Sequence, residues 1–231
     1  GGFGHERLFT LIRDLHRRHF ILTTASALAM GISSPGVFAQ GAAQAAAGKP
    51  AVILVVGDSL SAEYGLPRGT GWVALLEKQL AQEKINAKVI NASVSGETTS
   101  GGRSRIAALL QQHQPSQVVI ELGGNDALRG LPLTLTQKNL TEMIVRSQAI
   151  SAKIVLVGMQ IPPNYGREYA DGFKNMFSNI ATQTGSALAP FLFEGFADKR
   201  QYFQADGIHP NESAQRLMLA TVRLALDPLL P

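Results

Sequence analysis

The chain has 231 residues, of which 45% are hydrophobic and 16% charged, a balance that suits one globular α/β domain with a sizeable core. Its formal charge is +4, but the first 39 residues hold four arginines against Glu6 and Asp14, so the remainder carries 17 basic and 15 acidic groups and no electrostatic footprint for nucleic acid. No cysteine is present, which excludes disulfides, thiolate metal sites and a thiol nucleophile.

At the N-terminus Arg13, Arg17 and Arg18 precede an apolar stretch from Phe20 to Ile32, followed by Ser33-Ser34-Pro35-Gly36-Val37-Phe38-Ala39. This is the order of a signal peptide. The stretch is 13 residues long, against the roughly 20 needed to cross a bilayer, so a retained membrane anchor is not expected. Residues 1–39 are read as the leader, cut after Ala39 with Val37 at the −3 position or, as a second choice, after Ala47. The run Arg17-Arg18-His19-Phe20-Ile21-Leu22 resembles a twin-arginine export signal, with His16 where such signals prefer Ser or Thr. An amphipathic helix of a cytoplasmic protein is the competing reading, but Thr, Ser and Ala fill the stretch without making a polar face. The expectation is an exported protein, periplasmic or secreted. Residues 40–50 are low in complexity and read as a linker, leaving 51–231 as the folded domain.

From there apolar runs alternate with amphipathic stretches. The pattern predicts strands at 51–56, 88–92, 117–122, 153–159 and, more weakly, 186–191. It predicts helices near 72–84, 102–113, 136–151, 168–184 and 212–226. Four of the five strand runs are continuously β-branched or leucine-rich, as befits strands covered on both faces. Strand-helix alternation at this spacing implies parallel pairing and right-handed crossovers, hence a three-layer α/β/α sandwich with a five-stranded parallel sheet. In such sheets ligands bind at the carboxyl ends of the strands.

The first three strands each run into a polar, glycine-containing loop: Gly57-Asp58-Ser59-Leu60, then Asn91 to Thr99 with Gly96 inside it, then Gly123-Gly124-Asn125-Asp126. Turn chemistry alone accounts for any one of them. A serine at a strand exit, however, is where an α/β enzyme presents a nucleophile, and it needs a base within hydrogen-bond reach. Beyond the leader only His113 and His209 remain. His113 stands at the end of a predicted helix, where a cation suits the C-terminus. His209 follows Asp206 by three residues and precedes Pro210, which can open a helix at its first position. Asp206 and His209 can therefore act as an oriented base from one loop. The Gly-x-Ser-x-Gly elbow occurs nowhere in the chain, and neither does a phosphate loop or a dinucleotide fingerprint.

Gly57-Asp58-Ser59-Leu60, Gly96, Gly123-x-Asn125-Asp126 and Asp206-x-x-His209 occur in the order of the SGNH or GDSL hydrolases, and from about residue 51 to the last helix the chain resembles that family. It looks most like the bacterial thioesterase I, lysophospholipase and arylesterase branch. Ser61 to Leu66, Glu121 to Gly130 and Met159 to Gly166 extend the likeness. The resemblance implies a flavodoxin-like sheet, Ser59 as nucleophile, His209 as base and Asp206 as its orienter. It further implies oxyanion donors at the Ser59 and Gly96 N–H groups and the Asn125 side chain. It implies a small-molecule acyl-ester substrate and no metal or organic cofactor; a monomer is expected. Met159 to Gly166 resembles the loop that frames the acyl pocket, and an apolar wall around Ile161 and Leu128 would favour acyl chains over the acetylated sugars that some family members cleave. A lipid-binding protein without turnover is the alternative from another class. Glu63 replaces a glycine common in the first block, placing a charge near the expected mouth.

Overall fold

The computed structural model describes residues 49–231. The leader assigned to 1–39 and the linker as far as residue 48 lie outside the described residues.

The apolar run after Pro50 forms β1 (Ala51–Gly57), and Ile53, Leu54, Val55 and Val56 within it are all wholly buried. Alternate side chains of a strand point to opposite faces, so such a run needs cover on both. Ile53 and Val55 enter one core, Leu54 and Val56 the other. β2 (Ala87–Asn91), β3 (Gln117–Glu121), β4 (Lys153–Val157) and β5 (Ala187–Ala189) pair in parallel with β1 or with one another, in the order β2-β1-β3-β4-β5. This is the flavodoxin-like order, and its right-handed crossovers place helices on both faces.

On the first face lie α1 (Trp72–Gln82) and α6 (Gln215–Leu226), which contribute Trp72, Leu76, Leu80, Met218, Leu219 and Val222. On the second lie α2 (Thr99–His113), α4 (Leu133–Gln148) and α5 (Arg167–Thr184). There Phe173 and Phe177 of α5 meet edge to face with ring centres 5.1 Å apart, and cutting either to Ala would cost about 3 to 5 kcal/mol.

The structure departs from the sequence pattern in several places. α2 begins at Thr99, not 102, because the Thr98 side chain accepts the Gly101 N–H at 3.4 Å and Asp126 accepts the Thr99 N–H at 2.8 Å. Its Gly101-Gly102 pair, poor in helix propensity, concealed that first turn. A Cβ on Gly102 would stand 2.5 Å from Leu122 Cδ1, so close packing accounts for the glycine. α4 is shifted three residues toward the N-terminus, since Pro132 stands at its N-cap and Ser151 turns to φ 65° beyond its end. The loop expected after β3 is a short helix, α3 (Gly124–Leu128), and β5 keeps only three residues of 186–191.

Candidate active site

The strand ends deliver their loops to one edge of the sheet. Beyond β1 the chain makes a helical turn in which the Asp58 carbonyl accepts the N–H groups of Ser61 and Ala62, while Asp58 Oδ1 accepts the Leu60 N–H at 3.0 Å. Gly57 allows this turn to pack, since a Cβ there would stand 2.7 Å from Ser61 Oγ and 2.8 Å from Glu121 Oε2. Ser59 is thereby presented with its hydroxyl toward His209, and its own N–H finds no protein acceptor among the described residues.

His209 comes from the loop before α6. Asp206 folds this loop onto itself: its Oδ1 accepts the N–H groups of Ile208 at 2.9 Å and His209 at 3.0 Å, and Gly207 supplies the positive φ of 71° that the turn requires. The helix begins later than Pro210 suggested. Pro210 bridges to Phe203, and Asn211 caps the next turn by accepting the Ser213 N–H at 3.0 Å.

Asp206 Oδ2 lies 2.6 Å from His209 Nδ1, and His209 Nε2 lies 3.0 Å from Ser59 Oγ. Burial pushes the Asp206 carboxyl up, but hydrogen bonds from the Ile208 N–H, the His209 ring and the His209 N–H outweigh it and bring it down to about 2. The carboxylate only accepts, which favours the ring form with a proton on Nδ1 and turns Nε2 toward the Ser59 hydroxyl. His113 closes α2 at its far end; at 1.5 Å per residue, its 15 residues carry it about 20 Å away.

Two further loops bring hydrogen-bond donors. Asn125 lies in α3, and its Nδ2 donates to Asp58 Oδ2 at 2.9 Å and to the Glu97 carbonyl at 3.0 Å. Both protons are engaged at rest, so donation to a developing charge requires one to be shared; such bonds often tighten only with ligand bound. Gly96 sits in the exposed loop after β2 with φ 79°, and its N–H finds no protein acceptor among the described residues. That loop is fastened beside the serine turn by Val94 N–H to Gly57 O at 3.0 Å, and Arg129 donates to the Gly96 carbonyl at 3.2 Å.

Beneath the serine turn lie two buried carboxyls. Glu121 Oε2 accepts the Ser61 hydroxyl at 2.7 Å and the Asp58 N–H at 3.4 Å. Burial, with the neighbouring Asp58 as second cause, holds Glu121 well above its ordinary range, and burial likewise raises Asp58. Burial thus favours the protonated form of Glu121.

Ser59, Asn125 and His209 open onto a cavity of about 530 Å³ whose lining is mainly apolar. Leu128, Ile161 and Tyr165 line it, together with Phe191, Phe193 and Phe203. Among the described residues no group of three or more His, Asp or Glu side chains gathers as it would to hold a metal ion.

The GDSL-like lipase/acylhydrolase family matches residues 55–217, from within β1 to the start of α6. The chain belongs to this family. It is an ester hydrolase. It is 48% identical over 178 residues to Esterase TesA of Pseudomonas aeruginosa, covering 77% of this chain and 89% of that protein. It is 40% identical to an arylesterase of Vibrio mimicus over 71% of this chain and 82% of the relative. With the thioesterase 1/protease 1/lysophospholipase L1 of Escherichia coli K12 it shares 40% identity over 77% of this chain and 84% of the other. A crystal structure of TesA superposes with a TM-score of 0.76, covering 78% of this chain and 99% of that one.

The geometry of the hydrolase gathers Ser59, Asp206, His209, Asn125, Ile161 and Leu128 at or beside one cavity, whereas Gly96 stands in the adjoining loop and not among the lining residues. Glu63 is a correction: its charge does not face the cavity. Its carboxylate turns toward α1 and accepts the Gly69 N–H at 2.9 Å and the Gly71 N–H at 2.9 Å, satisfying donors just before that helix. Its φ of 61° explains why a glycine suits the position. The sequence reading missed Phe191, Phe193 and Phe203. The available signal was the density of aromatics in the irregular stretch from Phe191 to Phe203.

Proposed function

We propose that Ser59, His209 and Asp206 form the hydrolytic triad and that the enzyme cleaves esters of acyl chains seated in the aromatic cavity. The observation that carries this reading is the continuous chain of contacts at the cavity, 2.6 Å from Asp206 to His209 and 3.0 Å from His209 to Ser59. Ser59 Oγ attacks the ester carbonyl as its proton passes to His209 Nε2, and the imidazolium is stabilised by ionised Asp206. The carbonyl oxygen, now negative, takes hydrogen bonds from the Ser59 and Gly96 N–H groups and from Asn125. Collapse expels the alcohol or thiol with the proton held by His209. Water then attacks the acyl-enzyme, giving its proton to His209 while the hydroxide oxygen bonds to carbon, and the acid leaves as Ser59 recovers its proton.

Aryl esters, lysophospholipids and acyl thioesters are the proposed substrate classes, supported by the arylesterase and thioesterase/lysophospholipase relatives. The aromatic and aliphatic lining favours acyl chains over acetylated sugars. A monomeric enzyme is compatible with a site whose groups all come from one chain. It is exported, a reading supported by the arginines and apolar stretch of residues 13–39.

A panel of p-nitrophenyl esters of rising acyl length tests the substrate reading. Each methylene taken into the cavity contributes about 0.8 kcal/mol, so kcat/KM should climb roughly fourfold per carbon until the cavity is full. A panel that peaks at acetate would overturn it, and Ser59→Ala with ordinary turnover would overturn the triad.

A further inference from the structure

Ser59 and His209 lie 150 residues apart in sequence, each on a loop outside the strands. Apart from their own contact, one side chain ties these two loops by hydrogen bonds among the described residues, and it belongs to Gln204. Its Nε2 donates to the Tyr64 carbonyl at 2.8 Å and to the Pro210 carbonyl at 3.1 Å, which uses both amide protons. Its backbone N–H donates to the His209 carbonyl at 2.8 Å, and its carbonyl accepts the Gly207 N–H at 3.0 Å. Gln204 thus grips the carbonyl of His209 and that of the next residue while reaching across to the serine turn. Tyr64 is itself bound into that turn: its N–H reaches the Ser59 carbonyl at 3.4 Å, and its ring lies 4.4 Å from the His209 ring, tilted by 38°.

Gly65 supplies a second and separate observation. A Cβ at that position would stand 2.1 Å from Gln204 Oε1, so a side chain there would drive the amide out of its place. The φ of 70° also favours glycine. The backbone of the serine turn thus lies directly against the Gln204 amide.

We propose that Gln204 is a positioning residue, a clasp that holds the His209 ring within hydrogen-bond reach of Ser59. The proposal rests on the catalytic reading of Ser59 and His209. The hydroxyl and the imidazole belong to separate loops, and proton transfer demands that they stay near 3 Å; a misplacement of about 1 Å can cost on the order of a hundredfold in rate. The clasp acts on the base and not on the acyl cavity, for Gln204 is absent from its lining.

Gln204→Leu keeps the bulk and the backbone bonds but removes both side-chain donors. Its kcat on a p-nitrophenyl ester should fall roughly 10- to 100-fold, with KM within about twofold of wild type and an unchanged circular dichroism spectrum. On a His209→Ala background the same substitution should cause no further loss, because no base remains to be positioned. Gly65→Ala, which displaces the amide without altering Gln204, should reproduce the kcat loss and serves where Gln204→Leu folds poorly. Wild-type kcat in Gln204→Leu would overturn the clasp, as would an equal loss on the His209→Ala background. Full turnover by His209→Ala alone would overturn the reading of the site and the clasp with it.

Discussion

Replacing Glu121 by glutamine should make the protein increasingly more stable than wild type as the pH rises. Glu121 is 3% exposed and offers Oε2 to the Ser61 hydroxyl and the Asp58 N–H. A glutamine carbonyl oxygen can accept both bonds at nearly the same volume. The difference lies in titration, since burial raises the Glu121 carboxyl well above its ordinary 4.5. A carboxyl raised in the folded state contributes its stability in full below the unfolded value and loses it as pH rises through the folded one. Across that window the native chain holds one proton more than the unfolded chain, so wild-type stability falls by about 1.4 kcal/mol per pH unit from this group. Glutamine has no such dependence. The variant should therefore gain on wild type throughout the window between the unfolded and folded values. Asp58 is raised in the same direction but is present in both proteins. Urea unfolding at a series of pH values, followed by fluorescence of the buried Trp72, the only tryptophan in the chain, measures the difference directly. A stability difference that stays constant from pH 5 to pH 8 would refute the upward shift of the buried carboxyl.

Asn125→Ala should lower kcat by about 10²- to 10³-fold, the cost of one oxyanion donor, and lose about 1 to 2 kcal/mol of stability with its hydrogen bonds to Asp58 and the Glu97 carbonyl; steady-state kinetics beside a melting curve checks both, and unaltered kcat would remove Asn125 from the oxyanion site. His209→Ala should lower ester hydrolysis by several orders of magnitude to a small residual rate, whereas His113→Ala, at the far end of α2, should be close to neutral, and the reverse pattern would reassign the base. Glu63→Ala should lose about 1 to 2 kcal/mol of stability with its hydrogen bonds to the Gly69 and Gly71 N–H groups, while kcat stays within about twofold. A large fall in kcat without a fall in stability would return the Glu63 charge to the substrate path.

What was legible in the sequence follows from physical constraint. A strand buried on both faces must be apolar throughout, so β1, β3 and β4 stand out as continuous runs, and their parallel pairing follows from the helices between them. The serine turn and the Asp206 loop are legible because few residue types can do their work: Gly57 must have no side chain, and Asp206 must fold the backbone while facing the imidazole. α3 was not legible, since its Gly-Asn-Asp opening reads as turn chemistry and only tertiary packing makes it helical. The start of α2 was hidden by glycines kept for contact with Leu122 and Met143. The role of Glu63 depended on where its carboxylate turns, which no local pattern encodes. The aromatic wall arises from an irregular segment without periodicity, so density of phenylalanine was its sole trace. Gln204 lies outside every motif, and its importance rests on contacts made 140 residues away.

The most direct test of the central claim is the mass of the intact protein after treatment with a fluorophosphonate, followed by mapping of the modified peptide. Wild type should gain a single adduct on Ser59, in step with loss of p-nitrophenyl ester hydrolysis, and Ser59→Ala should gain none. An adduct on another residue, or full hydrolysis by unlabelled Ser59→Ala protein, would contradict the assignment of Ser59 as the nucleophile.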